Sequence, residues 1–168
     1  MTTLGDMKKR LQGSLALTTT LTDPLTRKAA IEQLFEIQVP YAKASDDSMA
    51  ADATANTKVW TNPYEYDVYV KSGTYNANGT ITAHDTNNAV ITFKTDDGAA
   101  GTPAAALTWT TSTTGTGNVA AGVAEAASLT AASARVVPGG NLWFNIAKGG
   151  SGVVVRAGVF GVVLTRGE

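Results

Sequence analysis

The chain has 168 residues, a formal net charge of −1 and no cysteine. That length fits one domain with a short appendage. The near-neutral charge gives no case for a nucleic-acid binder, and the lack of cysteine excludes disulfides, zinc ribbons and thiol chemistry. Charged residues make up 16% of the chain, below the ~25% of typical soluble domains. Thr, Ala, Gly and Val fill the difference, which suits strands, tight turns and surfaces that a partner covers.

In residues 1–22, Leu4, Met7 and Leu11 are spaced for a turn or two of amphipathic helix around the basic run Lys8, Lys9 and Arg10, and Gly5 and Gly13 weaken it. A terminal segment of this kind orders only when something ties it down. It holds no apolar run of signal-peptide length, and the most apolar stretch, residues 153–164, is too short to span a bilayer. Asp23 is placed as an N-cap with Pro24 at the first helical position, which predicts a helix over 24–36 with Ala30, Ile31, Leu34 and Phe35 on one face, stopped by Pro40. A strand competes at its end, because Phe35, Ile37 and Val39 alternate with Glu36 and Gln38. Residues 1–45 carry six Lys/Arg against four Asp/Glu and residues 46–168 seven against ten. The expected division is therefore an arm with a helix (1–45) and a β-sandwich domain (46–168).

Residues 45–56 form a polar loop of small residues, and strand signals then come quickly. Residues 57–61 read as a strand closed by Asn62 and Pro63; over 64–71, Tyr64, Tyr66, Val68 and Val70 share one face. Asn78-Gly79 marks a turn. A short strand at 80–83, a polar loop at 84–88, a strand at 89–94 and a turn at 96–98 follow. Next come a strand at 105–111 and a turn at Gly115–Gly117. Residues 119–129 permit a helical turn but have poor periodicity. The chain closes with a strand at 133–137, a turn at 138–140, a strand at 141–147, a turn at 148–152 and one or two strands in 153–164. About seven to nine short strands separated by turn residues read as a mainly β sandwich or barrel.

Catalytic patterns are sparse. His84 is the single histidine, and beside Asp85 it lacks the nucleophile a triad requires. Asp46-Asp47 and Asp96-Asp97 are adjacent residues whose side chains diverge on an extended chain, so neither makes a facing carboxylate pair. A calcium loop starting at Asp85 fails, with Val90 at its sixth position and Asp96 at its twelfth. Asn78-Gly79-Thr80 matches a glycosylation pattern and reads as a hairpin turn. The chain is expected to be no enzyme and to need no cofactor or metal. Trp60, Trp109 and Trp143, with Tyr64, Tyr66 and Tyr69, supply either core packing or a sugar platform.

Three blocks carry a resemblance: the Asn-Pro and Asp-Val-x-Val strand at 62–70, the Gly-Thr-Ile-Thr-Ala block ending in Asp-Asp-Gly at 79–98, and the Pro-Gly-Gly-Asn-Leu block with its Val-rich end at 138–164. Residues 57–168 thereby resemble the jelly-roll decoration (cement) proteins of tailed-bacteriophage capsids. The resemblance implies a structural virion protein on the capsid outer surface, assembled in the host cytoplasm. Such a protein forms a homotrimer and bridges neighbouring major capsid proteins without contacting nucleic acid or membrane. On that reading, Leu4, Met7, Lys8, Lys9, Arg10 and Leu11 are expected to meet the capsid. Trp143, Val153, Val155 and Val159 are expected at the subunit interface. A fibre or spike domain, or a carbohydrate-binding sandwich, is the alternative.

Overall fold

The structure, a computed structural model, describes residues 36–46, 56–96, 102–151 and 153–166. The chain divides between Glu36 and Ile37, and the described residues apart from Glu36 lie in the second unit. The arm residues Leu4 to Leu11 and the expected helix at 24–36, apart from Glu36, fall outside the described residues.

The second unit is a two-sheet antiparallel sandwich. Its strands are β1 (Ile37–Lys43), β2 (Thr57–Thr61), β3 (Val68–Ala77), β4 (Asn88–Thr95), β5 (Ala104–Thr110), β6 (Ala124–Ala126), β7 (Ser128–Leu129), β8 (Arg135–Val136), β9 (Asn141–Gly149) and β10 (Gly158–Arg166). One sheet runs β1-β10-β3-β6, with β8 also on β3, and the other β2-β9-β4-β5-β7. The two halves of the chain pair like the arms of one long ribbon: β1 with β10, β2 with β9, β3 with β8. Successive ribbon segments fall in alternate sheets and are stitched side by side by β10–β3 and β4–β9.

Period-two alternation builds the core. Val39, Val68, Val70, Tyr75, Phe160, Val162 and Leu164 of the first sheet face Ile91, Phe93, Leu107, Trp109, Leu142, Phe144 and Ile146 of the second. Phe160 is the hub between them. Its ring stacks on Tyr75 at 4.1 Å and meets Phe144 at 5.1 Å, Trp109 at 5.5 Å and Phe93 at 5.7 Å. Each such ring removes its whole apolar surface from water, about 1.5–3 kcal/mol apiece. Bulges shift the alternation where it would otherwise fail. On β3 the register skips Lys71, so Val68 and Val70 point inward before it and Gly73, Tyr75 and Ala77 after it.

Several expectations change. The boundary lies before β1 and not near residue 45, because Ile37–Lys43 pairs along its full length with β10. Pro40 sits inside that strand, tolerable because β1 is an edge of its sheet among the described residues, and an edge strand need not donate on its outer side. The strand expected from Tyr64 begins at Val68, because the Asn62 side chain folds the preceding residues into a loop. The strand at 80–83 reduces to one bridge, Ile81 to Val119. Residues 119–129 hold the short strands β6 and β7 where a helical turn was allowed, and 131–133 form a 3-10 turn ahead of β8. Residues 153–157 lead into β10 without joining it.

Candidate functional site

The polar groups that the sequence offered for chemistry tie loops together. His84 accepts the backbone N–H groups of Thr86 (3.2 Å) and Asn87 (3.0 Å) on Nδ1. Asp85 instead accepts the hydroxyl (2.5 Å) and backbone N–H (2.9 Å) of Thr113, bonds that hold its carboxyl below the usual range. The two side chains are thus turned to different partners and do not form a dyad. Asn87 joins the same assembly by accepting Ser151 N–H at 2.9 Å.

Asp46, just past β1, accepts Ala157 N–H (2.7 Å) and Arg156 Nη1 (2.8 Å), and its carboxyl is held low by that backbone donor first and by Arg156 second. Tyr75 donates to Arg156 O at 2.6 Å, and burial pushes its hydroxyl up to about 12. Asp96 receives the indole N–H of Trp143 and the backbone N–H of Asn141, the latter at 2.7 Å. No group of three or more His, Cys, Asp or Glu placed to hold a metal ion occurs among the described residues.

Asn62 is a buried tie of the same kind. It is 2% exposed. Its Nδ2 donates to Tyr66 O (2.9 Å) and Val136 O (3.0 Å), and its Oδ1 accepts Tyr64 N–H (3.0 Å). The loop it holds stacks Tyr64 on Tyr66 at 5.1 Å and brings Tyr66 under the Arg166 guanidinium, 4.4 Å from the ring centre. Of the aromatic residues weighed as a sugar platform, Trp109 is fully buried, Trp60 and Tyr66 are partly buried against the core, and Tyr64 is exposed.

The four expected interface residues separate. Val155 is buried in the subunit's own core, where no partner can reach it, which removes it from that set. Val153 is partly buried against the same core. Trp143 alternates with buried Leu142 and Phe144, and so lies on the outer face of the second sheet, between Lys58 and Lys94 of the neighbouring strands. Val159 is 51% exposed, on the outer face of the first sheet.

The two outer faces differ in chemistry. That of the second sheet carries Lys58, Lys94 and Trp143 around the buried polar pair Thr92 and Asn145. Thr92 is 6% exposed and its hydroxyl has no hydrogen-bond partner. The outer face of the first sheet is built from Ala42, Val159, Asn76 and Ala124 in one cross-strand row and Pro40, Gly161, Thr74 and Ala126 in the next. Sequence reading missed this second row: the uncharged alternation Val159, Gly161, Val163 was legible, but not the strands that would lie beside it. A cleft of about 260 Å3 opens between β1 and β2, floored by Tyr41, Phe144 and Ile146 with Lys43 on its rim. Comparison with protein-family models, curated proteins and solved structures finds no match.

Proposed function

We propose that the chain is a structural virion protein that decorates the outer surface of a phage capsid and bridges neighbouring major capsid proteins. The observation that carries this reading is the strand order. Pairing β1·β10, β2·β9 and β3·β8 in alternate sheets is what results when a long antiparallel ribbon is wrapped into two Greek keys, and it supports the jelly-roll arrangement that the resemblance implies. The use of Asp46, Asn62, Asp85 and Asp96 as loop ties fits the same reading, since each fixes a turn at the rim of the sandwich.

Such a protein stabilises a shell by binding the assembled lattice and not its dissociated subunits. In this proposal the segment with Leu4, Met7, Lys8, Lys9, Arg10 and Leu11 supplies capsid contacts. Several copies held together convert weak single contacts into a tight whole. The full chain is expected to co-sediment with expanded tailed-phage heads stripped of their outer proteins, and not with dissociated capsid subunits. Co-sedimentation with none of a panel of such heads overturns the reading.

A further inference from the structure

We propose that the Asn78-Gly79 turn is a site of spontaneous chemical modification, where the asparagine side chain closes on the following backbone nitrogen and reopens as aspartate or isoaspartate. Of the chain's asparagines, Asn78 is the one followed by glycine. It comes directly after β3 and is exposed. No hydrogen bond holds the Asn78 side chain or the Gly79 N–H among the described residues. The other asparagines are held back. Asn56, Asn62, Asn87, Asn88, Asn118 and Asn141 each keep a side-chain hydrogen bond. Asn145 is buried, and Asn76 lies inside β3, paired on both sides. Each is also followed by a residue whose β-carbon crowds the approach, and the one after Asn62 is Pro63, which has no N–H to give up.

The reaction needs only water. Gly79 N loses its proton to solvent hydroxide and attacks Asn78 Cγ. The bond from Cγ to Nδ2 breaks, and that nitrogen takes a proton from water and leaves as ammonia. A cyclic succinimide then joins the residues, and water adds to either of its carbonyls. Opening at Cγ leaves an ordinary aspartate. Opening at the backbone carbonyl carbon leaves isoaspartate, with the main chain routed through the side chain and longer by a methylene. Arg156 favours the first step. A β-carbon on Gly79 would lie 3.3 Å from its Nε, and that Nε faces Thr80 O at 3.5 Å. The guanidinium thus stands over the Gly79–Thr80 peptide, where positive charge favours the amide anion that attacks. Asp46 binds Nη1 at 2.8 Å and screens part of that charge.

This chemistry does not depend on a capsid partner, so its test is separate from co-sedimentation. The purified full chain is held at mildly alkaline pH, digested at intervals and read by fragmentation mass spectrometry. The mass change from NH2 to OH is expected first at Asn78, with aspartyl and isoaspartyl forms of the same peptide separating by chromatography. Gly79 needs no positive φ, so Gly79→Ala is expected to keep the parent's tryptophan emission and to slow the change about tenfold. If that variant does not fold, Asn78→Gln carries the test, and the change is expected to slow by a similar factor in the peptide spanning residues 72–94. Conversion at Asn78 no faster than at the other asparagines overturns the proposal. So does an aspartyl product without isoaspartate, or a folded variant whose peptide converts as fast as the parent's.

Discussion

Replacing Asn62 with aspartate swaps one NH2 for an oxygen at almost constant shape, and the structure makes that small change costly. The NH2 satisfies two carbonyls, Tyr66 O and Val136 O, and the second of these bonds is buried. A carboxylate there would face two acceptors with no donor of its own, in a site 2% exposed. Removing the side chain altogether loses three hydrogen bonds, one of them buried, at about 1 kcal/mol net each. Asn62→Ala is therefore expected to cost about 2–4 kcal/mol, a large share of the roughly 5–15 kcal/mol of a typical domain. Asn62→Asp is expected to cost at least as much at neutral pH.

The aspartate variant has a further signature. Burial and the two carbonyls raise its folded-state pKa above that in the unfolded chain. Its deficit is then full above the folded pKa and shrinks as pH falls towards about 4, where a neutral carboxyl can donate one hydrogen bond. The assay is urea unfolding followed by tryptophan fluorescence across that range, with both variants compared to the parent. An aspartate variant as stable as the parent at neutral pH, or one whose deficit grows on acidification, would refute the reasoning.

Other outcomes follow from the same packing. Thr92→Val removes a buried hydroxyl with no partner while keeping β-branching, and is expected to stabilise the fold by about 1 kcal/mol in denaturant titration. Phe160→Ala empties the hub between the sheets and is expected to cost about 3–5 kcal/mol, with altered emission from Trp109 5.5 Å away; a loss under about 1 kcal/mol would contradict the hub. Tyr75 ionises near 12 in the fold against a usual 10.0. Its contribution to stability is thus fully present below about pH 10 and is lost as pH rises through 12, which tyrosinate absorbance and unfolding measured together would follow.

Local pattern suffices for the strands that alternate cleanly and for the turns that close them. Residues 57–61, 89–94, 105–111 and 141–147 all became strands within a residue or two of expectation, because alternation and turn chemistry are local. Gly139, at φ 74, turns where Pro138-Gly139-Gly140 said it would. Pro40 misled because its meaning depends on whether a strand lies at an edge, and that is set by Gly161 and its neighbours far along the chain. Tyr64 and Tyr66 alternate like strand residues, yet Asn62 bonds them into a loop through Val136, which no local pattern could announce. Val155 and Val159 look alike in sequence, and one is core while the other is half exposed. The make-up of the outer faces was illegible for the same reason. A face four strands wide is assembled from β1, β3, β6 and β10, and only tertiary pairing decides which of their outward residues stand side by side.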